Sequence, residues 1–249
     1  MRPAAWPEGA EEPFLLYPSN FWRHKNHTAL LAALAHLRAE GLRVRAVFTG
    51  SLMGREAEWA AEVARAGVAD QVRHLGLVSR AELSWVYRRA QCLCIPSLFE
   101  GFGIPLVEAM RLGVPVACSA TTSLPEIAGP AAVYFDPHDP ASIARSLRRL
   151  WTDASLRRRL IAAGRSRQRR FTAERLVREH RACFVRALRS YSPARHLQNV
   201  AWAALPDPPR ETLSVHERLT AAELLRTSPS TWWHRLSCEL AYALRPFLR

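Results

Sequence analysis

Short apolar runs alternate with helix-patterned segments along the chain from Phe14 to Phe135. The runs read FLLY, VRAVFTG, VRHLGLV, CLCIPS, VPVACS and AAVYFDP, and each has the length and composition of a buried strand. Several segments between them repeat apolar residues at helical spacing or carry helix end signals. Because a helix is the usual crossover between parallel strands, the alternation predicts an α/β, Rossmann-like doubly wound parallel sheet.

Local end signals place the predicted helices. The first is expected over about 28–40, the second ends at Gly67, and the third follows Ser79, where Glu82 completes a capping-box pattern. After Pro140 the pattern is wholly helical, over about 141–151, 154–169 and 173–190. We therefore expect one domain over 13–190 with trailing C-terminal helices. The remainder, 191–249, is expected to be an appendage of unknown role that is partly helical.

Positive charge is concentrated in one third of the chain. The formal net charge is +13, and residues 145–189 hold 15 arginines against three acidic residues. Such basic helices serve nucleic acid, anionic lipid or an acidic neighbouring domain, or they form a solvated face, and periodicity does not choose among these. No aromatic-basic interleaving or known motif supports nucleic acid, so we expect none as a partner.

Cysteine usage and hydropathy favour a cytoplasmic protein. The five cysteines are odd in number and irregularly spaced, which is typical of reduced thiols. No secretory signal pattern is visible at the N-terminus, and no apolar run approaches the roughly 20 residues that a membrane span needs. We expect a cytoplasmic location, with peripheral contact at the inner face of the membrane as an extension of it.

The loop after the fourth predicted strand carries the main chemical signal. It reads PSLFEGFGIPLVEAMRLGVPVACS, and ligands of open parallel sheets bind at such carboxyl-end loops. Gly101 and Gly103 allow close backbone approach, while Pro105 fits the first turn of a helix that Gly113 ends. The start of that helix offers free N–H groups and a positive dipole end, which together favour an anion.

Charged side chains flank this helix start. Glu100 and Glu108 lie eight residues apart, and a carboxylate can accept two hydroxyl hydrogen bonds, which suits a vicinal diol. Lys25 is the only lysine in the sequence, although a bias toward arginine leaves its position open to chance. If the first strand lies beside the fourth, Arg23 and Lys25 would compensate a diphosphate placed near the two carboxylates.

The E-x7-E spacing within PSLFEGFGIPLVEAMRLGVPV closely resembles the nucleotide-sugar site of family 4 retaining glycosyltransferases of the GT-B fold. The segments YPSNFWRHKNHTALLAAL, VRHLGLVSRAELSWVYRRA and TTSLPEIAGPAAVYFDPHDPASIARSL resemble successive parts of that family's C-terminal, donor-binding domain, in the same order. The resemblance covers about 13–190 and implies one half of a GT-B fold. HKNH and SLPEIAG are similar to the mannosyl or rhamnosyl members.

The resemblance implies roles for individual residues. Those expected at the reaction centre are Glu100 beside the transferred sugar, with Lys25 and Arg23 on the diphosphate. Those expected to bind the donor are Glu108 on the ribose, the amides of Gly101, Phe102 and Gly103 on sugar hydroxyls, the amides of Ile104 and Leu106 on phosphate, and Leu77 and Val78 at the nucleobase. The donor would be a GDP- or UDP-sugar and the acceptor a glycan or lipid-linked acceptor. The resemblance implies no cofactor and no metal, and the sequence contains no Asp-x-Asp and no His/Cys ligand cluster.

A GT-B enzyme has two Rossmann-like domains, whereas the resemblance begins at the linker into the second. Residues 1–12 are therefore expected to be a linker remnant. Three explanations fit, ranked here from first to last. They are a truncated gene start, a split enzyme whose acceptor domain is a separate polypeptide, and a relic without activity. The alternative to an enzyme is a catalytically silent nucleotide-sugar-binding subunit. The basic helices of 145–189 are expected to contact the absent domain or an anionic membrane.

Overall fold

The computed structural model describes residues 1–4, 6 and 12–192. Six strands form one parallel sheet in the order β3-β2-β1-β4-β5-β6. The strands are β1 (Phe14–Pro18), β2 (Arg45–Thr49), β3 (Val72–His74), β4 (Cys92–Ile95), β5 (Val116–Ser119) and β6 (Ala132–Phe135). The predicted Rossmann-like doubly wound sheet is confirmed, and its strand order reverses between β1 and β4, where such sheets bind ligands.

Eight α-helices lie within the described residues. They are α1 (His27–Ala39), α2 (Glu56–Ala66), α3 (Arg80–Arg89), α4 (Ile104–Leu112), α5 (Leu124–Ala128), α6 (Pro140–Thr152), α7 (Ala154–Arg167) and α8 (Ala173–Arg189). The predicted capping box is present, because Ser79 Oγ accepts from the Glu82 amide and the Glu82 carboxylate accepts from the Ser79 amide. The sequence pattern did not predict α5, which is only five residues long.

The sheet is buried on both faces. Along β1 the side chains alternate, so that Leu15 and Tyr17 join the core beneath α1 and α6, while Phe14 and Leu16 join the core beneath α3 and α4. All four residues of β4 are buried. This two-sided burial explains why the strands read as continuous apolar runs rather than as alternating ones.

Contacts divide the chain into two compact units, Met1–Leu176 and Val177–Arg249. The first contains the whole sheet. It also includes Trp6, from the predicted linker remnant, which is buried against Phe14 and Trp85 at ring distances of 5.1 and 5.0 Å. Of the second unit only 177–192 are described, so the helices predicted within 215–248 and most of the predicted appendage lie outside the described residues.

The cysteines separate by burial. Cys92, Cys94 and Cys118 are buried in the central strands, and burial raises the pKa of the Cys92 and Cys118 thiols to about 12. Cys183 on α8 is exposed. Among the helices within the described ranges, none has both the length and the apolar character of a membrane-spanning segment.

Candidate nucleotide-sugar site

The pairing of β1 with β4 brings two carboxyl-end loops together. Leu15 pairs with Cys92 and Leu16 with Leu93, so the chain leaves both strands at the same edge of the sheet. After β1 it forms a short 3-10 helix, Arg23–Lys25. The Leu98 amide, in the loop after β4, donates to the carbonyl of His24 at 2.8 Å. The two loops are therefore joined through their main chains.

Lys25 and Glu100 form an ion pair across this junction. Lys25 Nζ lies 2.7 Å from Glu100 Oε1, and the two side chains are 20% and 12% exposed. Ser97 Oγ donates to the same carboxylate oxygen at 2.7 Å. Glu100 Oε2 accepts no hydrogen bond from any described residue, so one oxygen of the carboxylate is open to a ligand.

A buried tyrosine holds the Lys25 turn from beneath. Tyr17, the fourth residue of β1, donates its hydroxyl to the Lys25 carbonyl at 2.7 Å and lies 3.3 Å from Ser97 Oγ. Burial raises the pKa of Tyr17 well above its usual value, so the hydroxyl keeps its proton. Because the Ser97 hydroxyl donates its proton to Glu100, the Tyr17 proton goes to the Lys25 carbonyl.

The next residue along the chain ties three loops together. Asn26 has a left-handed backbone, with φ of 59°. Its side-chain amide donates to the carbonyl of Pro96 at 3.0 Å and to that of Pro137 at 2.8 Å. The loops after β1, β4 and β6 are thereby fixed relative to one another.

At the start of α4, Gly103 has the unusual backbone angle that the sequence allowed for, whereas Gly101 does not. Gly103 precedes the helix with φ of +87°, and a Cβ built on it would lie 2.7 Å from Leu124 Cδ2. The amides of Gly101, Phe102, Gly103 and Ile104 donate to no acceptor within the described residues. The Leu106 amide already donates to the Gly103 carbonyl at 3.0 Å. Four amides at a helix N-terminus are thus available to an anion or to hydroxyl oxygens.

Glu108 is held by a second buried hydroxyl. Tyr87 on α3 is 1% exposed and donates to Glu108 Oε2 at 2.9 Å, close to the Pro105 carbonyl at 3.3 Å. Burial, followed by the negative charge of Glu108, raises the pKa of Tyr87 well above its usual value. The two carboxylates of the E-x7-E motif therefore each have one oxygen fixed by a buried hydroxyl group.

The remaining predicted residues lie around this centre. Leu77, after β3, is 78% exposed, and Val78 packs partly against the core. Phe102 is 43% exposed and meets Phe171 edge to face at 5.7 Å. Arg23 is exposed on the same short helix as Lys25. Its charge adds to the hydrogen bond from Arg55 in lowering the pKa of Glu58.

Sequence reasoning missed the supporting hydroxyls. They are Tyr17, Tyr87, Ser97, Thr122 and Ser123. One signal was available for the two tyrosines, because a tyrosine in a buried strand or helix needs a partner for its hydroxyl. No described group of three or more His, Cys, Asp or Glu side chains is arranged to hold a metal ion.

The geometry agrees with the comparison to known sequences. The model of the family described as Glycosyl transferases group 1 matches residues 3–167. The chain belongs to this family. The resemblance stated from the sequence, to the donor-binding half of a GT-B glycosyltransferase, is thereby confirmed at the level of family and fold.

Relatives of this group 1 family member include sugar transferases. The O-antigen chain mannosyltransferase B of Escherichia coli is 32% identical over 166 residues, covering 66% of this chain and 44% of the relative. A D-inositol 3-phosphate glycosyltransferase of Xylanimonas cellulosilytica is 34% identical over 65% of this chain and 39% of the relative. The chain thus spans less than half the length of these relatives.

Solved structures share the fold. Sucrose-phosphate synthase from Thermosynechococcus elongatus matches with a TM-score of 0.63 and 27% identity, over 73% of this chain and 46% of that one. Anabaena HepE in complex with UDP and glucose matches with a TM-score of 0.57 and 21% identity, over 63% and 43% of the two chains. At 21% identity the second match supports the fold alone.

Proposed function

We propose that this group 1 family member is the donor-binding half of a retaining hexosyltransferase, which moves a hexose from a GDP- or UDP-sugar to a glycan or lipid-linked acceptor. The observation that carries the proposal is the Lys25–Glu100 pair at the carboxyl edge of the sheet, with Nζ and Oε1 2.7 Å apart. A cation, a carboxylate with one open oxygen and free helix-terminal amides are the groups that recognise a diphosphate joined to a sugar.

Lys25 is proposed to stabilise the leaving group. Its ammonium has three N–H donors, and among the described residues only Glu100 accepts from it, so two remain for phosphate oxygens. Negative charge grows on the nucleoside diphosphate as the glycosidic bond stretches, and a fixed cation there lowers the barrier by about 3 kcal/mol. Arg23 is proposed as a second cation on the same short helix.

The Glu100 and Glu108 carboxylates are proposed to bind hydroxyl groups of the donor. Glu100 would accept from the transferred sugar through its open oxygen, together with the amides of Gly101, Phe102 and Gly103. Glu108 would accept from the ribose. The Ile104 amide is free for phosphate, whereas Leu106 could contribute only if its bond to Gly103 opened.

Two further parts of the proposal concern the nucleobase and the sugar. Leu77 and Val78 would line the base, in keeping with the exposure of Leu77 at the carboxyl edge of the sheet. Relatives named as mannosyltransferases make mannose the first sugar to test.

The test is calorimetric titration of the full chain with GDP, UDP and their mannose and glucose conjugates. We expect binding that selects one base, and we expect Lys25→Ala and Glu100→Ala each to weaken binding of the selected nucleotide-sugar by about tenfold or more. Arg158→Ala, which removes an exposed positive charge on α7, is the matched control and should bind as the wild type does. No binding of any of these ligands by the wild-type chain would refute the proposal.

Transfer is proposed to require an acceptor-binding domain on a separate or longer polypeptide. Wild-type chain that binds donor but transfers no sugar, alone or mixed with such a domain, would favour the silent binding subunit instead. Transfer that appears only in the mixture would favour the enzyme half. The anomeric configuration of the product, measured by NMR, tests retention.

Helix α8 supports a peripheral membrane contact. None of its residues is buried, and Val177, Phe184 and Leu188 are 66%, 65% and 77% exposed on a helix that also carries five arginines. An amphipathic basic helix of this kind binds anionic interfaces. Co-sedimentation should be stronger with phosphatidylglycerol vesicles than with phosphatidylcholine vesicles, and Phe184→Ser with Leu188→Ser should weaken sedimentation with the phosphatidylglycerol vesicles. Equal sedimentation with both lipids would refute this contact.

A further inference from the structure

The loop between β5 and α5 forms hydrogen bonds with the main chain of Glu100. The Glu100 amide donates to Thr122 Oγ1 at 3.1 Å, and Ser123 Oγ donates to the Glu100 carbonyl at 2.8 Å. Two adjacent hydroxyl side chains therefore satisfy both backbone groups of one residue. Since β4 and β5 are neighbours in the sheet, their carboxyl-end loops are close enough for this contact.

Thr122 and Ser123 both depart from what is usual for their residue type at such positions, Thr122 in its backbone angle and Ser123 in its hydrogen bond. Thr122 has φ of +53°, a left-handed conformation that is unusual for a β-branched residue. Ser123 stands at the N-cap of α5, where serine normally bonds an amide of its own helix, yet it makes no such bond. Its hydroxyl goes to Glu100 instead. The strained backbone of Thr122 and the missing side-chain cap of α5 thus occur at the two residues that contact Glu100. Local backbone strain of this kind is concentrated at functional sites.

The hydrogen bonds with Thr122 and Ser123 add to those that already hold the Glu100 side chain. Lys25 and Ser97 hold its Oε1 atom, while Thr122 and Ser123 hold its amide and carbonyl. Its neighbours Phe99, Gly101 and Phe102 are exposed, Phe99 at 61%. With the main chain and one oxygen fixed, Oε2 is the carboxylate oxygen that has no hydrogen-bond partner among the described residues.

We infer that Thr122 and Ser123 are positioning residues that aim the open carboxylate oxygen of Glu100 at the sugar of the donor. The inference rests on the proposed function and adds to it a second loop, from β5, that acts through Glu100. It predicts that the loop affects recognition of the sugar and leaves recognition of the nucleoside diphosphate unchanged.

The test compares Thr122→Gly with Thr122→Ser. Glycine accepts the left-handed backbone but lacks the hydroxyl, whereas serine keeps the hydroxyl. The ligands are the nucleotide-sugar selected in the titration above and its nucleoside diphosphate. For Thr122→Gly we expect about tenfold weaker binding of the nucleotide-sugar, less than about twofold change for the diphosphate, and a melting temperature close to that of the wild type, because relief of the left-handed backbone offsets the lost hydrogen bond and the added unfolded-chain entropy. Thr122→Ser should restore binding of the nucleotide-sugar.

The outcomes separate the two proposals. Equal weakening of both ligands by Thr122→Gly, or no weakening of either, would overturn the positioning role while leaving the donor site intact. Failure of the wild-type chain to bind any donor would overturn both. Tyr87→Phe, which acts on Glu108, is the control variant and should weaken both ligands alike.

Discussion

Replacing Gly103 by alanine tests the geometry at the start of α4. The left-handed φ of +87° costs a residue with a Cβ about 1 to 2 kcal/mol. The added Cβ would lie 2.7 Å from Leu124 Cδ2, and Leu124 is fully buried, so its displacement costs about 1 to 3 kcal/mol. Loss of unfolded-chain entropy returns about 0.4 to 1 kcal/mol. We expect Gly103→Ala to lower the free energy of unfolding by about 1 to 5 kcal/mol, with about 3 kcal/mol at the centre of the range.

Gly101 supplies the matched control two residues earlier. A Cβ there meets nothing within 4 Å, and its φ lies outside the left-handed range. Gly101→Ala should therefore leave the free energy of unfolding unchanged or raise it by up to about 1 kcal/mol. Both variants would be measured by urea unfolding followed by circular dichroism. Equal stability of the two variants would refute the argument that Gly103 is required by its backbone angle and by Leu124.

Other residues give further predictions. Tyr87→Phe should weaken nucleoside diphosphate binding by about five- to tenfold, with no effect on a 2′,3′-dideoxy analogue, because the lost hydroxyl orients Glu108; an equal effect on both ligands would contradict this. Burial lowers the pKa of His27 from 6.5 to about 3, so only the unfolded state takes up its proton as the pH falls. The contribution of neutral His27 to the free energy of unfolding is complete above pH 6.5. It is lost as the pH falls toward 3, by up to about 1.4 kcal/mol per pH unit. His27→Phe should therefore reduce the dependence of the free energy of unfolding on pH, as measured by urea unfolding at several pH values. In a Cys238→Ser background a thiol reagent should label Cys183 of the native chain and spare the three buried strand cysteines; labelling of the strand cysteines at the same rate would show that the core opens.

The sequence predicted the sheet well because its strands are buried on both faces and stand out as apolar runs. β3 is shorter than predicted: it ends at His74, and Gly76 beyond it has φ of +70°. Helix α5 was missed because five residues are too few to show a periodic pattern.

For the site, the E-x7-E spacing and the single lysine indicated the charged groups, and the condition that β1 lie beside β4 is met. The hydroxyls that support those charges could not be predicted from spacing. Tyr17 and Ser97 are 80 residues apart, and Thr122 reaches Glu100 across 22 residues. Such contacts depend on which strands become neighbours, and local pattern does not encode that.

The placement of β1 has a consequence for refolding. This strand pairs with β2 on one side and with β4 on the other, and the Lys25–Glu100 pair joins residues 75 positions apart. Pairings between residues so far apart in sequence form slowly, because the entropy of closing a large loop is lost before the contact provides any stabilisation. Recovery of ligand binding after dilution from denaturant should therefore lag behind recovery of helical circular dichroism. The site would act as a natural reporter of the moment at which the two halves of the sheet come together.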